Sequence, residues 1–350
     1  MHISVIQGGI INRTIQLPEN RLILTHIFDN VFCLEEYEDI INFFCSIKDN
    51  VSPNQLAVLA SSAIKRNNFF NNFIGLINVI KNNVNSDQLG EVASTALNEM
   101  NNGTKFLDLL MSIKDHVSQD QLTELILTAL KKMSDTDDIS GLIIGIKDTV
   151  YQDQLTVLAS TALKKIGSGS DWDISELIIG IKDTVTKEQL TELASTALKK
   201  TKYNTFIFDI KDNISPDQLT QFILTIINKM DDTGDISELI IDLKDTVSKV
   251  QLTVLASTAI VKMSNDQMIS SSFLELRNNV SEDQLTELAL TSLKKMTNDF
   301  SIKCLINFIK DYVSKEQLTE LVSIAHKKIS ETEFIVDLND IIKNYKLLGI

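Results

Sequence analysis

Apolar residues return along this chain at spacings that favour helix almost throughout. In residues 139–150, Ile139, Leu142, Ile143, Ile146 and Val150 fall at i, i+3, i+4, i+7 and i+11, which is one face of a 3.6-residue helix. Residues 155–166 repeat the logic with Leu155, Leu158, Ala159, Ala162, Leu163 and Ile166. The pair predicts a helix hairpin with an apolar face on each arm. Its second arm is then written again nearly letter for letter, as "QLTVLASTALKK" at 154–165 and "EQLTELASTALKK" at 188–200. The dipeptide Gln-Leu marks that arm at Gln55, Gln88, Gln121, Gln154, Gln189, Gln218, Gln251, Gln284 and Gln317, with separations of 33, 33, 33, 35, 29, 33, 33 and 33 residues. A fixed period of this size identifies a stacked repeat array.

The start of each second arm is marked chemically. Ser118, Thr186, Ser248, Ser281 and Ser314 each stand three residues before a Gln. A hydroxyl at N-cap with Gln at N3 satisfies two orphan amides reciprocally, which is the capping box. Pro53 and Pro216 fall at the first helical position, where a missing N–H costs nothing. Lys-Lys pairs such as Lys131-Lys132 and Lys199-Lys200 close the arm, where positive charge suits the carbonyl end of the dipole.

One hairpin cannot bury both faces alone, so neighbours must stack and share a core. The expected fold is all-α: an α-solenoid of about nine 33-residue hairpins, residues 35–330. At ~8–10 Å per helix spacing the product is a rod or superhelix with a contour on the order of 70–90 Å. Residues 1–34 are read as an N-terminal cap, with residues 18–30 a degenerate second arm. The two apolar runs around Gly8-Gly9 are either a short β-hairpin over the first helix or unstructured. Residues 331–350 are read as a C-terminal capping helix, because Ile342-Lys343 repeats the "IK" of a first arm 33 residues after Ile309.

A period of three repeats lies over the period of one. The fifth position after Gln is Ala in six repeats but Ile126, Ile223 and Val322 in the third, sixth and ninth, and Val58, Val157 and Val254 follow the same rhythm. A block of three hairpins was copied. Larger residues at a tight helix contact predict spacing that varies with that rhythm. The separations of 35 and 29 mark two length faults. The first carries "GSGSDWD" at 167–173, which puts the only tryptophan, Trp172, on a Gly/Ser-rich loop; the second removes residues before the helix around Phe206 and Ile210. Each is either a tolerated loop change, or a hinge or exposed aromatic anchor.

The period and hairpin pattern resemble those of α-solenoid helical-repeat proteins of the HEAT, armadillo and tetratricopeptide type. The resemblance implies the fold class and a habit of binding protein partners on an extended surface. The Trp, Gly, Tyr and Pro signature of tetratricopeptide repeats, the "TPLH" of ankyrin repeats and the helix-kinking proline of HEAT first helices are missing, so no site residues carry over.

Composition narrows the function. A hydrophobic content of 43% with 12 Gly and 3 Pro suits an ordered all-helical chain. A formal charge of −14 repels phosphate backbones and anionic headgroups, so nucleic acid is not an expected partner. No run approaches the roughly 18 apolar residues of a membrane span, and the opening residues lack a secretory n-region. Cys33, Cys45 and Cys304 have no metal-ligand spacing and are read as core fillers of a chain in a reducing compartment. His2, His26, His116 and His326 sit in distant repeats, where a solenoid keeps them apart, so no catalytic set, metal or cofactor is expected. The acidic runs at 135–138 and 231–235 lack the spaced ligands of a calcium loop and are read as helix N-termini.

The candidate site is a stripe. Two residues before the Ile or Leu of each "IKD" element stand Met111, Ile144, Ile179, Phe208, Ile241 and Leu274, about 140° from the centre of the core face of the first arm. At the ends the position becomes Asn78 and Asn307. Beside the stripe runs a carboxylate ladder, Asp115, Asp148, Asp183, Asp212 and Asp245. Either neighbouring repeats bury the stripe, or it is an apolar groove with an acidic rim, suited to a basic or amphipathic segment. On the second arm, Glu124, Glu192 and Glu287 are offset by Lys131, Lys199 and Lys294.

The expected function is a non-enzymatic scaffold, located in the cytoplasm, that binds a basic or amphipathic segment of another protein through the stripe, the ladder and Trp172. The alternative is a regulatory or inhibitory protein that masks a partner enzyme. Its delivery into a host cytosol by an intracellular bacterium is suggested by the tail. Glu331 and Glu333 followed by Leu347 and Leu348 resemble the export signals of type IV secreted effectors, and a capping helix explains the same residues.

Overall fold

The computed structural model describes residues 2–5, 13–16, 37–66, 73–101, 103–134, 138–167, 170–201, 206–231 and 233–347. The chain divides into two units, Met1–Asn213 and Ile214–Ile350, and the division falls between the arms of the sixth repeat.

In the first unit, strands β1 (His2–Val5) and β2 (Arg13–Gln16) pair antiparallel with His2 opposite Gln16, and β1 lies against the first described helix. Gly8-Gly9, residues 18–30, Cys33 and His26 lie outside the described residues. First arms are α1 (Tyr37–Ile47), α3 (Ile74–Ile80), α5 (Thr104–Ile113), α7 (Ile139–Ile146), α9 (Asp171–Ile181) and α11 (Phe206–Asp209), the last followed by a 3-10 turn, Lys211–Asn213. Second arms are α2 (Pro53–Arg66), α4 (Ser86–Glu99), α6 (Gln119–Lys132), α8 (Gln152–Lys165) and α10 (Lys187–Lys200). Odd helices pack on odd and even on even, forming two layers. The second unit repeats this with α12 (Pro216–Lys229), α14 (Lys249–Lys262), α16 (Glu282–Lys295) and α18 (Lys315–His326) in one layer. Its other layer is α13 (Thr233–Leu243), α15 (Asp266–Leu276), α17 (Asp299–Ile309) and the capping helix α19 (Thr332–Leu347), which packs on α17 and α18. Each unit is thus a stack of α-solenoid hairpins.

The apolar phase is as the sequence predicts. All eleven residues that define the two faces of the fourth repeat, from Ile139 to Ile166, are buried, and Leu158 is fully so. The enlarged residues of the three-repeat rhythm, Ile126, Ile223 and Val322, are fully buried where the other repeats place alanine. Cys45 is a correction. It is exposed on α1, because it falls on the helix face opposite Phe43, Phe44 and Ile47, and it fills no core; Cys304 is half-buried, with its thiol pushed up by desolvation.

Every predicted capping box forms, and Asn85 supplies another before α4. At Tyr151 only the glutamine half is present, its N–H donating to Gln154 Oε1 at 3.2 Å. The glutamine also has a second task. While Oε1 caps its own helix, Nε2 donates to the aspartate at the start of the preceding second arm. These bonds are Gln121 to Asp87 at 2.6 Å, Gln154 to Asp120 at 2.7 Å and Gln189 to Asp153 at 2.8 Å. In the second unit they are Gln251 to Asp217 at 3.3 Å and Gln317 to Asp283 at 2.8 Å.

The lysine pairs differ from the expectation. The first lysine of each pair is exposed, and the second serves the neighbouring helix rather than its own. Lys132 reaches the carbonyl of Leu97, Lys165 that of Lys131, and Lys200 those of Leu163, Lys164 and Ile166. Lys262, Lys295 and Lys328 repeat this in the second unit. A long flexible stem lets the ammonium satisfy carbonyls that the neighbour leaves orphaned. Burial beside them pushes Lys132 below the usual lysine range, with Glu99 opposing. First-arm lysines reach the other way, Lys81 to the Ser112 carbonyl, Lys147 to that of Gly180 and Lys182 to that of Asp209.

Two predictions follow from this packing. Leu158→Asp buries an unpaired charge in α8, at a cost of several kcal/mol, and nearest-neighbour coupling carries the loss into α6 and α10. Thermal melting by circular dichroism should drop and proteolysis should open the middle of the first unit; unchanged melting with an undigested centre would refute the helix phase. In the second unit, Asp299 Oδ2 accepts from the Ser330 and Glu331 N–H groups at 2.8 and 2.9 Å, which holds its carboxyl below the ordinary value, the Glu331 bond contributing most. A depressed carboxylate stabilises the fold above its unfolded pKa and loses that contribution as pH falls through the folded pKa. Asp299→Asn should therefore lower the melting temperature at neutral pH, and the difference should shrink as pH falls through and below the ordinary carboxylate range, read from a melting series.

Candidate docking groove

The first turn of α9 answers where the tryptophan stands. Asp171, Trp172 and Asp173 are helical, so Trp172 belongs to α9 and not to the Gly/Ser loop; acidic residues suit a helix start, and they draw the helix back to Asp171. From there Trp172, Glu176 and Ile179 recur at i, i+4 and i+7 along one face. Trp172 is 80% exposed.

Beside this face lies α7. Ile144 projects over Gly180, where an added Cβ would stand 2.6 Å from the isoleucine side chain. One repeat earlier Leu107 fills the same notch at Gly145, 2.7 Å from the Cβ position. Glycine here is a receptacle for the preceding first arm. This explains why helical phase alone misjudges the stripe. Met111 and Leu274 are exposed, but Ile144, Ile179, Phe208 and Ile241 are half-buried by adjoining first arms, and none joins the core.

On the other side of α9 stands α11. Its described part, Phe206–Asp209, packs on α9. At the repeat position of Gly145 and Gly180 it carries Asp209, whose side chain is exposed and whose carbonyl accepts from Lys182 Nζ at 2.9 Å. The result is a depression of about 580 Å³. Ile144, Ile179 and Gly180 form its apolar floor, Trp172 and Ser175 a wall, and Asp171, Glu176 and Asp209 an acidic rim. Glu176 is held in place by Ser140 Oγ of α7, which donates to Oε2 at 2.8 Å.

The groove therefore gathers Ile144, Ile179 and Trp172 among the residues singled out from sequence, and leaves Met111 and Phe208 outside. The carboxylate ladder is exposed but lies at the far end of the first arms, in the turns after them. Asp115 sits 3.7 Å from Lys114, and Asp183 accepts from Asn213 Nδ2 at 3.1 Å. In the second unit, Ile241, Leu274 and Asp245 occupy the equivalent positions of α13, α15 and the turn after α13. Sequence reasoning missed Asp171, Ser175, Glu176, Gly180 and Asp209. The readable signal was the change from Gly145 and Gly180 to Asp209 at one repeat position, next to the shortened repeat separation.

A second depression, about 320 Å³ between α4 and α6, is polar and includes the Gln121–Asp87 bond that joins those helices. Among the described residues no group of three or more His, Cys, Asp and Glu is arranged to hold a metal ion, and no helix is long and apolar enough to cross a membrane. His116 Nε2 lies 2.9 Å from Asn82 Oδ1, and Asp138, from the acidic run at 135–138, caps α7 by accepting from the Gly141 N–H at 2.6 Å.

No protein-family model matches the chain, and no curated protein sequence matches it. Among solved structures it aligns with a Sel1 repeat protein from Oxalobacter formigenes at 10% identity, over 93% of this chain and 97% of that one, with a TM-score of 0.25. A circular tandem repeat protein with novel repeat topology aligns at 9% identity over 92% and 87%, with a TM-score of 0.23. At these scores the superpositions carry no argument, and the architecture rests on the helices themselves.

Trp172 makes the electrostatics of the groove measurable, because it is the only tryptophan in the chain. Acrylamide should quench its fluorescence almost as freely as that of an exposed indole. Caesium should quench better than iodide by roughly twofold or more at low ionic strength, since the rim attracts cations, and the gap should narrow as salt rises. Equal quenching by the two ions would mean that the rim carboxylates do not act at the indole.

Proposed function

We propose that the chain is a non-enzymatic scaffold that holds a basic amphipathic segment of another protein against the first arms of its first unit. The observation that carries this reading is the groove at α9, where an exposed tryptophan and an apolar floor adjoin three carboxylates. An amphipathic helix laid there would cover the apolar floor while its basic residues meet the rim. The ladder residues Asp148, Asp183 and Asp212 extend the same sign of charge along the ends of the arms and would steer approach over a Debye length. A net charge of −14 supports a basic partner and disfavours nucleic acid.

The reading is tested with a synthetic basic amphipathic peptide of about five helical turns, measured by calorimetry against the intact chain. Trp172→Ala with Ile179→Ser should weaken binding by tenfold or more while circular dichroism stays close to the parent, because Trp172 is exposed and Ile179 only half-buried. Asp148→Asn with Asp212→Asn should slow association several-fold and reduce its salt dependence, with dissociation little changed. Full binding by the Trp172/Ile179 variant would remove the groove as the site.

A further inference from the structure

The rim and the indole together specify more than positive charge. We infer that the groove at α9 anchors an arginine side chain of the partner, its guanidinium stacked on Trp172 and its N–H edges paired with the carboxylates of Glu176 and Asp209. This rests on the proposed docking of a basic segment and names the residue that is read there.

Four features converge on arginine. The indole is 80% exposed, so a π-face is open to a cation. Carboxylates approach from two helices, Glu176 on α9 itself and Asp209 on α11, so a single planar group between them is met on two edges. A guanidinium presents five donors in one plane, is weakly hydrated and stacks while it pairs, whereas an ammonium is compact and strongly hydrated. The floor of Ile144, Ile179 and Gly180 gives the aliphatic stem an apolar bed.

The rim is also held ready. Ser140 Oγ fixes Glu176, and Lys182 holds the Asp209 backbone through its carbonyl, leaving the carboxylate of Asp209 exposed. A partner cation therefore meets placed acceptors. The combination of such a pair with an exposed indole falls beside the two changes of repeat length. The equivalent positions in the two preceding arms are Gly145 and Gly180, which are filled by the arm before each, and α11 carries Asp209 there.

The test uses three peptides of one basic amphipathic sequence with arginine, lysine or citrulline at a single central position, titrated against the intact chain by calorimetry and by Trp172 fluorescence. Citrulline keeps the shape of arginine and removes its charge. The arginine peptide should bind about tenfold tighter than citrulline and several-fold tighter than lysine, and should shift Trp172 emission. Asp209→Asn with Glu176→Gln should abolish the preference and leave citrulline binding unchanged. Both substitutions keep an acceptor oxygen for Ser140 and the carbonyl for Lys182, so the fold is preserved. Equal binding of all three peptides, with affinity still lost in the Trp172→Ala variant, would overturn the arginine anchor and leave the docking reading standing. Binding by none of them would overturn both.

Discussion

Each end of an α-helix leaves backbone groups with no partner inside it, and in a chain of short helices that deficit recurs every dozen residues or so. The architecture depends on how it is met. Glutamine at the third position of a second arm closes the start of its own helix, and Gln121, Gln154 and Gln189 also tie back to the preceding one through Asp87, Asp120 and Asp153. Lysine at the last position crosses to the carbonyls of the preceding helix. Apolar burial drives the hairpins together, but these polar groups fix which residue faces which. Along a layer of otherwise similar helices, that register is what hydrophobic contact leaves undetermined.

How much of this the sequence disclosed depends on range. A hydroxyl three residues before a glutamine is a local device, and its geometry could be read from spacing alone. The role of Lys132 or Lys200 could not, because the carbonyls they reach lie about one repeat away and the charge also suits the lysine's own helix end. Periodicity placed Leu158 and its neighbours in the core correctly, because a residue aimed at the middle of the buried face tolerates a phase error. It could not decide Ile144 or Ile179, which lie near the border and are half-covered by arms whose approach is set by Gly145 and Gly180. Cys45 sits among buried phenylalanines in sequence and outside them in space, since one step along a helix turns the side chain through 100°.

The candidate site was legible only in pieces. The inserted residues before Trp172 and the missing residues before Phe206 each looked like an ordinary change of loop length. In the fold they bracket the same helix. The insertion precedes the start of α9 and the deletion precedes α11, which packs on α9, and Trp172 and Asp209 line one concave surface there. Two departures from regularity that are neutral apart become a shaped surface together. Single-sequence reading misses this because nothing in the spacing of one fault refers to the other.

The reach of the glutamine bond shows which changes of length such a chain can absorb. Most of these bonds span 34 residues, as from Gln154 to Asp120, yet Gln189 finds Asp153 across 36 at 2.8 Å. Two additional residues in the connection ahead of α9 leave the partnership intact, since both partners sit at helix starts held by their own caps. Removing or adding a residue between the capping hydroxyl and the glutamine would break the box and the crosslink at once. Duplicating a repeat such as the fourth, by contrast, brings in one donor glutamine, Gln154, one accepting aspartate, Asp153, and one bridging lysine, Lys165, and leaves none of them over. Growth by complete modules is thus silent in hydrogen bonding, and the copied block of three hairpins is the kind of history that such bonding permits.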